Sequence, residues 1–199
     1  MAVQPALILA SASPRRSELL RQIGVEFRVA PVSINEAPLP EENPCDYVSR
    51  LAMAKSREGY QQHAQPGDVV LGADTIVVFN GQMLGKPQNE IEACTMLQNL
   101  SANQHQVYTA VALTNGQREE LGISKTRVCF RAITLKEIQD YWDSGEPRDK
   151  AGGYAIQGKG AVFVSEICGS YSGVVGLPLQ ETSELLQLFG IPVWQVSRT

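Results

Sequence analysis

The sequence predicts an α/β protein built on a mixed β-sheet flanked by helices. Two observations predict it. Short apolar runs of strand type alternate with helical patterns through the first part of the chain, starting at Ala6–Ala10. Farther on, the turn dipeptides Asn80-Gly81 and Asn115-Gly116 separate apolar runs, so hairpins break the alternation and argue against a purely parallel sheet. With 199 residues, 43% of them hydrophobic, the chain can bury a real core, roughly 70% of its unfolded surface. No internal repeat, low-complexity stretch or long linker interrupts it, and one domain over residues 1–199 is expected.

Each element has its own justification. Ala6–Ala10 is wholly apolar, as a buried strand is. Pro14 suits the first turn of a helix with Ser13 as N-cap and Leu19, Leu20 and Ile23 on one face, ended by Gly24. Phe27–Ala30 reads as a second strand. Asn43-Pro44 opens a longer helix to about Tyr60, with Tyr47, Val48, Leu51, Ala52 and Lys55 at helical spacing. Val69–Phe79 is a strand, apolar apart from Gly72, Asp74 and Thr75. Asn89 caps a helix carrying Ile91, Met96, Leu97 and Leu100. Val107–Leu113 and Leu121–Phe130 form a second hairpin. Thr134 and Glu137 make a capping box before Ile138, Tyr141 and Trp142. Val162–Ile167 is a further strand, and Pro178 starts a last helix through Phe189.

Composition narrows the function classes. Charged residues are 19% and the net charge is −4, an ordinary soluble surface. That acidic balance argues against nucleic-acid partners, which require a basic face. No run approaches the roughly 20 apolar residues that span a bilayer. Ala6–Ala10 lacks the preceding Lys or Arg and the length of a signal peptide. No membrane partner and a cytoplasmic location are therefore expected. The four cysteines, Cys45, Cys94, Cys129 and Cys168, are scattered without a CxxC, which points to buried small hydrophobes in a reducing compartment. His63 and His105 lack metal-ligand spacing and read as ordinary side chains.

Several residues remain for chemistry. Ser11-Ala12-Ser13-Pro14-Arg15-Arg16 links a buried strand to a helix start, setting hydroxyls, free N–H groups and two guanidiniums at a positive helix end suited to phosphate. It is neither a Walker A loop nor a GxGxxG fingerprint. The bland alternative is a solvated first turn. Asp74 stands in an apolar strand, where a carboxylate costs several kcal/mol unless partnered. It could hold a metal, accept a proton from water, or be fixed by backbone N–H groups. Lys55 shares a helix face with Leu51, and Lys86 lies in a Gly85-Lys86-Pro87 turn; neither is specific alone. Asp149–Gly158 concentrates charged, amide and glycine residues that let backbone approach a ligand, or that simply turn tightly.

Taken together, Ser13-Pro14-Arg15-Arg16, Lys55, Gly72-Ala73-Asp74-Thr75, Gly85-Lys86-Pro87, Asp149-Lys150-Ala151-Gly152 through Ile156-Gln157-Gly158, and Val175-Gly176-Leu177-Pro178 resemble the Maf family of nucleoside triphosphate pyrophosphatases. The likeness covers nearly the whole chain in one order of motifs. It implies a fold like that of inosine-triphosphate pyrophosphatases, with two lobes around a cleft. It also implies a divalent metal, Mg²⁺ or Mn²⁺, and cleavage between the α- and β-phosphates. By position Asp74 matches the family's proton acceptor. Arg16, Lys55 and Lys86 match its phosphate-handling cations, with Ser11 near the phosphates, and Glu36 matches an acidic residue that helps Asp74 hold the metal. A small-molecule nucleotide is the expected partner, and a homodimer the expected assembly.

The family divides by base, and Arg15, Thr75 and Gln157 look like the branch acting on dTTP and UTP, with modified pyrimidine nucleotides left open. The chemistry agrees. A Gln amide offers a donor and an acceptor to the N3–H and carbonyls of thymine or uracil, whereas the Glu of the sister branch would accept from guanine. The alternative is a nucleotide-binding regulator of cell division and septum formation without turnover. A carboxylate facing phosphates gains such a binder nothing.

Overall fold

The computed structural model describes residues 5–195, so the expected domain of residues 1–199 extends at both ends beyond the described residues. Seven strands form one sheet. They are β1 (Leu7–Leu9), β2 (Arg28–Val29), β3 (Val69–Phe79), β4 (Gln82–Leu84), β5 (Gln104–Thr114), β6 (Glu119–Phe130) and β7 (Val164–Cys168). Six helices accompany them: α1 (Pro14–Gln22), α2 (Pro44–His63), α3 (Glu90–Leu100), α4 (Leu135–Asp143), α5 (Tyr171–Val175) and α6 (Leu179–Leu188). The strand order is β2-β1-β3-β5-β6-β7, with β4 paired to β3. The sheet is mixed, as expected: β1 runs parallel to β2 and β3, while β3–β4 and β6–β7 are antiparallel.

The chain forms two compact units. The first takes residues up to Asp74, Thr109–Ser124, and those from Gly176 onward; the second takes Thr75–Tyr108 and Lys125–Val175.

In the first unit, β1 is buried throughout and in register with β3, Leu7 beside Val69 and Leu9 beside Leu71. Ile8, Ala10, Ala30 and Val70 form a core cluster against which Val32, Tyr60 and Ala64 pack. Helix α2 begins where Asn43 accepts the Asp46 N–H, which satisfies one orphan donor of the first turn. It buries Tyr47, Val48, Leu51 and Ala52, the stripe that the spacing predicts, and runs one turn beyond Tyr60, to His63. It also lies unusually close to the sheet. A Cβ on Gly72 would stand 2.4 Å from the Ala52 carbonyl oxygen and 2.5 Å from the Ser56 nitrogen, so only glycine lets α2 settle there.

In the second unit, Asn80 and Gly81 both have positive φ, the conformation of a tight hairpin turn between β3 and β4. The Thr134–Glu137 capping box is complete in both directions, and α4 packs against α3. His105, Phe130 and Tyr154 meet edge to face, as do Tyr141 and Phe163, and a tilted Phe130–Phe163 contact joins the two groups in one aromatic core; the His105 Nε2 meets the Tyr154 hydroxyl at 2.7 Å.

Some expectations are corrected. Ile91 is 79% exposed; Ala93, with Met96, Leu97 and Leu100, makes the buried stripe of α3. Val162 belongs to a 3₁₀ turn (Lys159–Phe163), not a strand, because Arg131 claims the carbonyls of Val162 and Phe163 through its side chain and N–H. Strand β7 begins at Val164. None of the four cysteines is fully buried, and Cys168 is exposed; all are free thiols. Helix α5 (Tyr171–Val175) stands between Gly169 and Gly176, where no helix is expected.

Candidate active site

Strand β1 delivers the chain into the first unit's charged cluster. Ala10 donates its N–H to the Leu71 carbonyl, and Ser11, buried, accepts the Ser13 N–H on its Oγ at 3.2 Å. Ser13 is the N-cap of α1, as expected, but its side chain makes no cap bond. Pro14 at the first helical position needs no N–H partner. One turn on, the Arg16 guanidinium donates from Nη1 to Ser11 Oγ at 3.2 Å and from Nε to the Gly176 carbonyl at 2.8 Å. Arg16 is therefore aimed by two fixed partners. Burial lowers its pKa below the ordinary value, against the raising effect of Asp74 and Glu36 nearby; a guanidinium stays charged regardless. Arg15 is half-buried beside it.

Asp74 sits midway along β3 and is 7% exposed. Strand alternation puts it on the face of Gly72, toward α2. There Lys55 donates from Nζ to Asp74 Oδ1 at 2.7 Å and forms a 2.6 Å ion pair with Glu36 Oε1. The close approach at Gly72 brings Lys55 within reach. Burial pushes the Asp74 carboxyl above its ordinary pKa, and Lys55 and Arg16 oppose that rise. The result is a partnered but strained anion, more basic than a surface Asp.

Glu36 comes from the loop between β2 and α2. Tyr47 donates its hydroxyl to the Glu36 carbonyl at 2.9 Å. Arg50 donates to Glu42 at 2.6 and 2.7 Å and to the Ala37 carbonyl at 3.1 Å. These two residues on α2 hold the loop in place. Helical spacing marks Tyr47 only as a buried-face residue and leaves Arg50 out; their spacing of three on one helix beside an acidic loop is the signal that points to this role.

The structure thus brings Ser11, Arg16, Lys55, Glu36 and Asp74 together within the first unit, with Arg15 adjacent. Thr75, Lys86 and Gln157 belong to the second. Thr75, half-buried, shares a β3 face with Val77, against which Gly152 is packed without room for a Cβ. The Gly152 N–H donates to the Gly85 carbonyl at 3.0 Å, tying the exposed Lys86 turn to the glycine-rich segment. Gln157 is exposed on a turn whose neighbour Ile156 is buried.

Among the described residues no cluster of three or more His, Cys, Asp or Glu is poised for a metal, and no helix is long and apolar enough to cross a membrane. The acidic pair Glu36 and Asp74 converges on one cation, the Lys55 ammonium. It is an oxygen-only set of two carboxylates, which is what Mg²⁺ or Mn²⁺ takes from protein when water and phosphate fill its remaining positions.

The family model described as Maf-like protein matches residues 6–189. A dTTP/UTP pyrophosphatase of Pseudoalteromonas atlantica is 54% identical, covering 90% of this chain and 95% of its own. One from Nitrosomonas europaea is 51% identical over 94% and 96%, and one from Nitrosospira multiformis is 47% identical over 97% and 99%. On that match, and on relatives aligned nearly end to end, the chain belongs to the Maf-like protein family.

Proposed function

We propose that this chain hydrolyses nucleoside triphosphates, dTTP and UTP before others, between the α- and β-phosphates to give the monophosphate and pyrophosphate. The observation that carries the reading is Asp74, a buried carboxylate made more basic by burial and held by Lys55. The names of the relatives support the same reaction.

In this mechanism Asp74 orients a water and takes its proton as the oxygen attacks phosphorus. A triphosphate brings about three to four negative charges, and one unit pair at 4 Å is worth about 4 kcal/mol at an effective dielectric near 20. Arg16 meets phosphate with a fork already aimed by Ser11 and Gly176. Lys55 and Lys86 supply point charges, and the Ser11 hydroxyl a neutral donor. Glu36 and Asp74 are the residues that would hold a divalent cation. Such a cation would neutralise charge on the phosphates and leaving group.

Gln157 reads the base. Its amide matches the donor and acceptor edge of uracil or thymine, and the opposite edge would leave a polar group unpaired once the bound ring covers it, at about 1–3 kcal/mol. Arg15 and Thr75 complete the specificity set. The cytoplasm, where nucleotide pools lie, is the compartment of this reaction.

The test is product identity. The protein is incubated with a panel of nucleotides and Mg²⁺, with and without EDTA, and the products are separated chromatographically. UMP and dTMP with pyrophosphate, lost on chelation, are expected. UDP with orthophosphate, or binding with no turnover on any base, would overturn the proposal.

A further inference from the structure

The turn that carries Gln157 is gripped from both ends by two side chains. Upstream, the Ala155 N–H donates to the Tyr141 hydroxyl at 3.0 Å. Downstream, the Lys159 N–H donates to Glu146 Oε2 at 3.0 Å and the Gly160 N–H to Glu146 Oε1 at 3.0 Å. The Tyr141 hydroxyl in turn donates to Glu146 Oε1 at 2.7 Å. One phenol and one carboxylate thus accept three backbone N–H groups that flank Gln157.

The fit leaves no slack. A Cβ on Gly158 would lie 2.2 Å from Glu146 Oε2, and one on Gly160 would lie 2.7 Å from the Tyr141 oxygen. Ala155, Ile156 and Gly160 are buried around these contacts, while Gln157 is exposed. Partial burial raises the Glu146 carboxyl, but the N–H groups of Lys159 and Gly160, the Tyr141 hydroxyl and the charge of Lys150 together hold it below the usual carboxylate range. A base-reading amide discriminates only if its backbone is fixed before the ligand arrives, since a mobile turn adapts to the wrong edge.

We propose that Glu146, acting with Tyr141, is a positioning residue for base selection: it clamps the Ala155–Gly160 turn so that Gln157 meets the pyrimidine ring in one geometry. This rests on the role given to Gln157 above. Neither side chain touches the reacting atoms, so the clamp acts on recognition and not on the hydrolytic step.

The experiment compares Glu146→Gln, Tyr141→Phe, Gln157→Ala and the double variant Glu146→Gln/Gln157→Ala in steady-state kinetics. UTP is set against CTP, whose ring presents the reversed donor and acceptor edge. A carboxamide has one acceptor oxygen where the carboxylate has two, so Glu146→Gln leaves a backbone N–H facing an amide NH₂. Its KM for UTP should rise about tenfold, and its UTP-over-CTP preference should fall by a similar factor. Its kcat should stay within about twofold, because the groups that act on phosphorus are untouched. The double variant should lose no more preference than Gln157→Ala alone. Should Glu146→Gln fail to fold, Tyr141→Phe, which removes a single hydroxyl, decides by the same readout. Unchanged base preference in both clamp variants, or a fall in kcat at constant KM, overturns the clamp while leaving Gln157 in its role. Unchanged preference in Gln157→Ala overturns both assignments.

Discussion

Gly72→Ala tests how this protein places its central ion pair. Gly72 adopts an ordinary strand conformation, outside the positive-φ glycines. On backbone grounds alone alanine would therefore stabilise by about 0.5–1 kcal/mol. The obstacle is spatial: the added methyl would lie 2.4 Å from the Ala52 oxygen, 2.5 Å from the Ser56 nitrogen and 3.1 Å from the Lys55 carbonyl carbon. Ordinary contact between such atoms is about 3.5 Å, so α2 must retreat by ~1 Å. These are backbone atoms of a well-packed helix, and no side chain can swing aside to absorb the shift. Overpacking of this kind costs about 1–3 kcal/mol, which lowers Tm by roughly 2–4 °C per kcal/mol in a chain of this size. The same retreat lifts Lys55 from Asp74, now 2.7 Å apart. A misplacement of ~1 Å at a catalytic group costs about 10²-fold in rate. Calorimetry and UTP turnover on the same preparation check both effects. A lower Tm with wild-type kcat would refute the link between the placement of α2 and the proposed role of Asp74; an unchanged Tm would refute the clash.

Three further outcomes are expected. Asp74→Asn should reduce turnover by about 10²–10⁴-fold, as expected for loss of a general base, while a nucleotide still binds by equilibrium titration through Arg16 and the lysines. Gln157→Glu should lower kcat/KM for UTP and dTTP by about 5- to 150-fold with little change in Tm, since its side chain is exposed; unchanged kcat/KM would remove Gln157 from base reading. His105 supplies an acid limit. Burial lowers its pKa from 6.5 to about 4, so the unfolded chain takes up this proton before the folded one does. The stability concerned is fully present above pH 6.5 and is lost as pH falls toward 4, by about 3 kcal/mol. Denaturant melts at pH 7 and pH 4 should show that extra loss in the wild type and not in His105→Phe.

Much of this structure is legible in the sequence because the relevant physics is local. Asn43, Asn89 and Thr134 each cap a helix with the side chain expected of them, and Val69–Phe79 is a strand over its whole predicted length. Asp74 stands out for the same reason, a carboxylate in an apolar strand. What escapes is whatever depends on partners distant in the chain. Nothing near Lys55 announces that it bridges Glu36 and Asp74; the pairing exists because Gly72 admits α2. Ile91 is a good helix-face candidate by type, yet the residue that α3 buries is Ala93, two positions on, while Ile91 faces solvent. Val162 has the composition of a strand residue, but Arg131 recruits its carbonyl into a turn. Tyr47 and Arg50 look like ordinary members of α2 until the loop they hold is seen.

The place of β3 in the sheet has a kinetic consequence. Strand β3 pairs with β1 over Val69–Leu71 and with β4 over Val77–Phe79, and β5 is its other neighbour, so the strand carrying Asp74 is anchored in the sheet before and after that residue. Its amides exchange with solvent only when the surrounding unit opens, whereas the Glu36 loop, fastened by Tyr47 and Arg50, can open at far lower cost. Heat inactivation should therefore follow the unfolding rate of the unit itself. Adaptation to cold would act on the Glu36 loop and the Lys86 turn, leaving the strand that carries Asp74 as the last to yield.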